Sequence, residues 1–245
     1  MAGEPPEPSA APAAGTPDGD TLVARLERIG DAYGLVLLLI LVTFVVTITL
    51  PPIGWAGRVA AVAVSGGTAV VALMSSDVRL PRIRLAVAVA GVAVVLAILA
   101  RVAESKALLG VAFVVDGVLL AIAAVTILRR VIQASRVDFR TILGAISVYT
   151  LQGLLFSYGF LALGRLTSGP VFAGVPNPSP ADYLFFSYTT LTTTGYGNLV
   201  PAGTIGEALA VVEMLTGQIF LVTLVAGLVS LWRPSSRSSG AAESS

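Results

Sequence analysis

Long apolar stretches, separated by short polar segments, make up most of the chain. A helix that crosses a bilayer needs about 20 mostly apolar residues. Six stretches reach or approach that length, at residues 34–50, 59–75, 85–100, 107–128, 142–164 and 204–232. The last of them is long enough to tilt or to project past the bilayer. This pattern predicts an all-α membrane protein with six transmembrane helices.

The segments before the first apolar stretch and after the last one are more polar than these stretches. Residues 21–33 place Leu22, Leu26, Ile29 and Tyr33 on one helical face, which is typical of a short helix lying in the membrane interface. Residues 1–20 are rich in Pro, Ala, Gly and acidic side chains, and we expect a disordered tail there and not a secretory signal. Residues 233–245 are predicted to be a second disordered tail, too short for a cytosolic ligand-binding domain.

The composition supports a membrane protein and weakens other classes. Of the 245 residues, 56% are hydrophobic and 12% are charged. In a typical soluble domain about a quarter of the residues are charged. The net charge of +1 gives no indication of a nucleic-acid partner. The chain has neither cysteine nor histidine, which excludes disulfides and thiolate metal sites and removes the commonest general base. We therefore expect no enzyme and no cofactor.

The distribution of basic residues predicts the orientation, because cytoplasmic loops carry the excess of Lys and Arg. With the N-terminus inside, eleven basic residues face the cytoplasm and four, Arg58, Arg101, Lys106 and Arg165, face outward. The eleven are Arg25, Arg28, Arg79, Arg82, Arg84, Arg129, Arg130, Arg136, Arg140, Arg233 and Arg237. Both termini are thus predicted to be cytoplasmic, and the Arg-over-Lys bias favours a bacterial cell membrane.

The outward-facing connection between the last two stretches contains a short helix of its own. After a proline-rich segment, Ser179 can cap a helix whose first residue is Pro180, with Asp182 as the reciprocal partner of the cap. A helix over residues 180–192 is about 18 Å long, too short for a bilayer of about 30 Å. It must enter the membrane and stop partway, and backbone that is not helical at this depth must line water or be buried in protein.

The sequence TTTGYGN follows this re-entrant helix. Glycine adopts backbone angles that are closed to other residues, and alternating such residues with ordinary ones turns successive carbonyls to one side of a strand. Around a symmetry axis these carbonyls and the Thr193 hydroxyl form cages that replace the water around a cation. We expect Tyr196 to point away from the axis and brace the ladder of oxygens.

In these residues the chain resembles the potassium-channel family, over about residues 140–232. The resemblance implies a pore module of outer helix, pore helix, filter and inner helix. It places K⁺ coordination on Thr193, Thr194, Gly195, Tyr196 and Gly197. It also implies that Thr192 and Asn198 support the filter and that Gly217 is a gating hinge. Three departures from the family pattern stand out: Thr194 for valine, Asn198 for aspartate, and Phe185 with Phe186 for tryptophans.

One filter strand per chain predicts a homotetramer with the pore on its four-fold axis. On the last helix a stripe is assigned to the cavity and gate, consisting of Met214, Gln218, Leu221, Val225 and Val229. Glu213 lies about 140° around the helix from Gln218. We expect it to face protein behind the filter and to bond Thr189, Thr190 or Ser187, because a buried acid needs a partner.

The four-helix region, residues 21–136, lacks the regular arginines of a voltage sensor. The fourth stretch has no basic residue before Arg129 and Arg130, so steep voltage dependence has no source. Asp116 lies near its middle and is predicted either to pair with a basic group such as Arg101 or to sense protons. With the pore module at 137–232, the sequence predicts a K⁺-selective channel subunit; the alternatives are a K⁺ transporter subunit and a non-conducting channel-like protein.

Overall fold

The computed structural model describes residues 19–49, 54–76, 78–134 and 139–231, without the side chains of residues 19–32, 225 and 228–231. Seven helices form in these ranges. They are α1 (Gly19–Thr49), α2 (Trp55–Met74), α3 (Leu80–Val102), α4 (Lys106–Gln133), α5 (Phe139–Leu166), α6 (Pro180–Leu191) and α7 (Thr204–Leu231). The all-helical fold predicted from the apolar pattern is confirmed for this part of the chain.

Five helices are long and apolar enough to cross a membrane, namely α2, α3, α4, α5 and the Thr204–Leu224 part of α7. The sixth predicted span corresponds to Tyr33–Thr49, whose apolar part is shorter than the other five. That span stays a prediction.

The predicted interfacial helix is not a separate element. Residues 21–33 are the first part of α1, which runs without a break from Gly19 to Thr49. The helical backbone continues through Gly30 and Gly34, so the amphipathic segment and the apolar one belong to the same helix. Two residues assigned to the tail, Gly19 and Asp20, belong to this helix; the rest of that tail and the C-terminal tail lie outside the described residues.

Two helices, α4 and α5, form the centre of the bundle. α4 contacts α2, α3 and α5, whereas α5 contacts α1, α4, α6 and α7. Small residues allow α3 to approach α2 and α4 closely. The buried positions of α3 are Ala86, Ala93, Ala97 and Ala100. As a result α5 connects the four-helix region to the helices that follow it.

Candidate functional site

The start of α6 is formed by the predicted cap. The Ser179 hydroxyl accepts a hydrogen bond from the Asp182 backbone N–H at 3.3 Å, and the Asp182 carboxylate accepts one from the Ser179 N–H at 2.7 Å. Pro180 occupies the first turn, where its missing N–H costs nothing. The helix has 12 residues and ends at Leu191, with Thr192 as its C-cap. The predicted short helix is therefore confirmed.

The end of α6 is closed by a Schellman motif. The Thr193 N–H donates to the Thr190 carbonyl at 3.0 Å, and the Thr194 N–H donates to the Thr189 carbonyl at 2.8 Å. In this motif the residue after the C-cap is left-handed and usually glycine. Here it is Thr193, with φ of 57°. A β-branched residue in this region costs roughly 1–2 kcal/mol and persists where surrounding contacts require it.

The filter segment, residues 192–198, alternates between two backbone conformations. Positive φ occurs at Thr193, Gly195 and Gly197, that is, at every second residue. All seven residues are exposed, and a Cβ built on either glycine meets no atom within 4 Å. Alternation of this kind suits a strand whose carbonyls point to one side, so the backbone is compatible with the predicted coordination by Thr193, Thr194, Gly195, Tyr196 and Gly197. That coordination remains a prediction.

Two side-chain contacts hold the filter segment against its own pore helix. The Tyr196 ring stacks on the Phe185 ring, with centroids 5.7 Å apart and planes inclined by 13°. The Thr194 hydroxyl lies 2.8 Å from the Thr192 hydroxyl, which in turn donates to the Tyr188 carbonyl at 2.7 Å. Since Thr192 uses its proton there, Thr194 is the donor between the two. The departure from valine at position 194 thus adds a hydrogen bond that valine could not make.

Two tyrosines of α6 pack on two glycines of α5. A Cβ on Gly153 would collide with the Tyr188 ring, and one on Gly164 would collide with the Tyr183 hydroxyl. The Tyr188 hydroxyl is itself fixed, because it donates to the Thr150 carbonyl of α5. This contact was not predicted from the sequence. A signal was present, since Gly153 and Gly164 are three turns apart and lie within about 20° on one helical face.

The end of α6 rests on α7 at Gly217. A Cβ on Gly217 would lie 2.6 Å from Leu191 Cδ1 and 2.8 Å from the Leu191 carbonyl oxygen. The same carbonyl accepts a hydrogen bond from the Tyr149 hydroxyl of α5 at 3.2 Å. Gly217 is therefore a site of close helix approach; the hinge role implied by the family resemblance remains a prediction.

A buried polar contact joins α5, α6 and α7. Glu213 is fully buried, and its Oε1 lies 2.5 Å from the Ser187 hydroxyl, one of the three partners expected for it. The Ser187 hydroxyl also lies 2.7 Å from the Gly153 carbonyl of α5. Among the described residues Glu213 Oε2 has no hydrogen-bond partner. Glu213 thus lies on the α6 side of α7, away from Gln218, as its helical position predicts.

Only one face of α7 packs within the subunit. Its buried residues recur at helical spacing and are Gly206, Ala210, Glu213, Gly217 and Phe220. The predicted cavity residues Met214, Gln218 and Leu221 are all exposed and lie along one flank of this buried face. The side chains of Val225 and Val229 lie outside the described residues. Asn198 is exposed at the end of the filter segment.

The predicted pairing of Asp116 with Arg101 is wrong. Asp116 is fully buried in α4, and its Oδ2 accepts a hydrogen bond from the Ser65 hydroxyl of α2. Arg101 instead forms an exposed ion pair with Glu104, 3.7 Å apart. An opposite charge was expected beside this acid, whereas the rotation of α2 places the Ser65 hydroxyl against it.

Comparison with known proteins finds a family match for the segment that contains α6 and the filter segment. Residues 146–233 match the family described as "Ion channel". The chain is 33% identical over 85 residues to the inward rectifier potassium channel Kirbac3.1 of Paramagnetospirillum magnetotacticum, which is 34% of this chain and 29% of that protein. It is 31% identical over 102 residues to a voltage-gated potassium channel of Aeropyrum pernix, covering 40% of this chain and 30% of that protein.

Each of these alignments spans less than a third of the relative's length, and no solved structure matches the chain at the same level of significance. The matched family is one of channels and not of enzymes, as the lack of catalytic side chains predicts. The protein is therefore a multi-pass membrane protein, and its segment with α6 and most of α5 and α7 matches an ion channel domain.

Proposed function

We propose that the chain is the subunit of a homotetrameric, K⁺-selective channel that conducts K⁺ passively across a cell membrane and is not steeply gated by voltage. The observation that carries this proposal is the segment after α6, where φ is positive at Thr193, Gly195 and Gly197 and the backbone is exposed. Four such strands around an axis present rings of carbonyl oxygens that replace the hydration shell of K⁺. K⁺ is then the permeating ligand and no other cofactor is needed.

The exposed face of α7 supports assembly around an axis. Gln218 lies near the middle of this apolar helix and is exposed on the subunit. A polar side chain at this depth normally faces a bundle interior or a water-filled cavity and not lipid. In a tetramer, Gln218 and Leu221 would face the central cavity. Each filter segment would be enclosed by the filter segments of the other three subunits. The homotetramer thus accounts for both exposed surfaces with one symmetry.

The absence of steep voltage dependence rests on α4. Its last turn contains Arg130 beside Arg129, whereas its middle carries the acidic residue Asp116. Moving one elementary charge through 100 mV is worth about 2.3 kcal/mol, so steep gating needs several charges inside the field. Two arginines at one end of the helix do not supply them. The state of the gate must then depend on another stimulus.

The choice of K⁺ rests on the filter residues and on the names of the two relatives, both of which are potassium channels. The hydrogen bond between Thr194 and Thr192 supports the conformation of the filter segment from within its own subunit. We therefore expect the departures at Thr194 and Asn198 to leave K⁺ preferred over Na⁺.

The test is ion flux from liposomes that contain the purified full chain, with K⁺ and Na⁺ compared in parallel. Gly195→Ala should abolish K⁺ flux, because alanine is strained at its positive φ of 51°. Gly174→Ala is the matched control, since Gly174 also has positive φ and free space around it but lies outside the filter segment. Flux retained in Gly174→Ala and lost in Gly195→Ala supports the proposal. Equal K⁺ and Na⁺ flux would exclude selectivity, and absence of flux in the native protein would mean either a closed gate or a non-conducting role.

A further inference from the structure

The end of the bundle at which α2 and α4 begin holds a cavity with an unusual lining. This cavity of about 430 Å³ is lined by Arg58, Arg101, Lys106 and Arg165, together with Trp55 and Glu104. A neighbouring cavity of about 780 Å³ is lined by Arg58, Lys106 and Arg165 again, and by the proline-rich segment before α6. All four basic residues that are predicted to face outward therefore meet at one place.

Three of these four charges have no carboxylate to pair with. Glu104 forms an ion pair with Arg101, and both side chains are more than half exposed. Within the residues that the structure describes, no carboxylate forms an ion pair with Arg58, Lys106 or Arg165. The Nε of Arg58 is buried and has no hydrogen-bond acceptor within the described part of the chain. A buried N–H of a guanidinium without an acceptor is costly, which indicates that an acceptor from outside the protein belongs there.

The helix ends add to the positive potential of this cavity. α2 begins at Trp55 after the cap Gly54, and α4 begins at Lys106; neither has an acidic residue in its first turn. The N-terminus of a helix carries roughly half a positive charge and presents free N–H groups to anions. Arg58 and Arg165 line this cavity together, so their like charges repel each other. Like charges and helix dipoles brought together in this way are stabilised by a bound anion.

We propose that this cavity, the outer basic pocket, binds a phosphate-bearing anion, with Arg58 and Arg165 as its main ligands and Lys106 beside them. Guanidinium groups match the oxygens of a phosphate in geometry as well as in charge. The phosphate is supplied either by the headgroup of an anionic phospholipid in the adjacent leaflet or by a soluble phosphate. The site is separate from the filter and does not depend on the proposed K⁺ conduction.

Such an anion would connect two parts of the subunit. Arg58 belongs to α2 and Lys106 to α4, whereas Arg165 lies in the last turn of α5, at the start of the connection to α6. A phosphate between them replaces the repulsion of three charges by shared hydrogen bonds. It would fasten the four-helix region to the outer end of the pore domain.

Trp55 provides a local reporter, because it lines the pocket and is 53% exposed. The chain has two tryptophans, and Trp232→Phe leaves Trp55 as the single fluorophore. This full-length variant is reconstituted into vesicles that contain brominated phosphatidylglycerol or brominated phosphatidylcholine, whose bromines quench tryptophan on contact. Quenching across mixtures of the two lipids gives their relative affinity for the pocket. A second arm adds inorganic phosphate, or chloride at equal ionic strength, to vesicles of phosphatidylcholine.

Each basic residue near a membrane surface contributes a factor of roughly five in affinity for an anionic lipid. We expect a preference for phosphatidylglycerol of at least tenfold, falling by about fivefold in Arg58→Gln and in Arg165→Gln. Arg84→Gln is the matched control, because Arg84 lies at the other end of α3 from Arg101 and the pocket. This variant should keep the full preference for phosphatidylglycerol. A fluorescence change with phosphate but not chloride, lost in Arg58→Gln, would support the soluble source instead. Equal quenching by both lipids together with no phosphate effect overturns the proposal, as does a preference that Arg58→Gln and Arg165→Gln leave unchanged.

Discussion

Gly217→Ala tests how α7 holds the end of the pore helix. The added Cβ would lie 2.6 Å from Leu191 Cδ1 and 2.8 Å from the Leu191 carbonyl oxygen. The side-chain atom can rotate away, but the carbonyl belongs to the last turn of α6 and is bonded by the Tyr149 hydroxyl. The substitution must therefore displace α6 or α7, and the filter segment begins one residue beyond Leu191.

The expected magnitude follows from three contributions. Overpacking costs about 1–3 kcal/mol, and weakening the bond from Tyr149 costs about 1 kcal/mol. Alanine returns up to about 1 kcal/mol through its higher helix propensity. The net loss is therefore about 1–3 kcal/mol, which lowers the melting temperature by several degrees in a protein of this size. Because the displaced atoms support the filter, the ratio of K⁺ to Na⁺ flux should fall as well.

Gly91→Ala, in the middle of α3, is the matched control. A Cβ at Gly91 meets no atom within 4 Å, so only the gain in helix propensity applies and the melting temperature should rise or stay. The assays are thermal unfolding of the purified protein and parallel K⁺ and Na⁺ flux from liposomes. If Gly217→Ala melts no lower than Gly91→Ala and keeps its selectivity, the close contact with Leu191 is refuted. A change in open probability alone would then favour the hinge.

Further substitutions test three contacts within the same subunit. Glu213→Ala and Ser187→Ala should each lower stability by about 1–3 kcal/mol in thermal unfolding, and the double variant should lose clearly less than the sum; additive losses would contradict a direct bond. Thr194→Val removes the donor to Thr192 but keeps the shape, so we expect a loss of at most about 1 kcal/mol with K⁺ selectivity retained in the flux assay. Loss of selectivity would instead assign that hydroxyl to the ions. Asp116→Asn keeps an acceptor for the α2 hydroxyl and should melt close to the native protein, whereas Asp116→Ala should lose about 1–3 kcal/mol; equal melting of both would show that this bond contributes nothing.

The parts of the pore domain that depend on local sequence could be predicted closely. The cap of α6 is formed by Ser179, Pro180 and Asp182, which are adjacent in the chain, and its start is correct to the residue. The spans were predicted less well at their ends. Arg58 lies inside α2, and Arg82 and Arg84 lie inside α3. Hydropathy ends a span at the first charge, but backbone hydrogen bonding continues through it.

Contacts between helices were harder to predict, because they depend on how each helix is rotated against its neighbours. Glu213 could be placed because its angle from Gln218 on one helix limits the elements it can face. Asp116 could not, since its partner Ser65 lies 51 residues away on another helix, whose rotation no local pattern specifies. The outer basic pocket was hidden for the same reason. Its basic residues are distant in the chain, and in the sequence they indicate only the orientation of the spans. They come together only when the helices pack.

The pore helix and the filter segment differ in where their support comes from. α6 is fixed within one subunit along its whole length. Tyr183 packs on Gly164 at its start, Tyr188 packs between Gly153 and the Phe44 ring, whose centroid is 4.8 Å away, and its end rests on α7.

Among the described residues, the side-chain contacts of the filter segment with its own subunit are the stacking of Tyr196 on Phe185 and the hydroxyl pair of Thr192 and Thr194, next to the end of α6. Its first turn is nevertheless determined, because the Schellman motif at the end of α6 forces Thr193 into positive φ before any second subunit is present. In the proposed tetramer, assembly would then complete the ion-binding geometry of a strand whose direction each subunit has already set. Weakening the end of α6 should therefore impair selectivity even where the tetramer still forms.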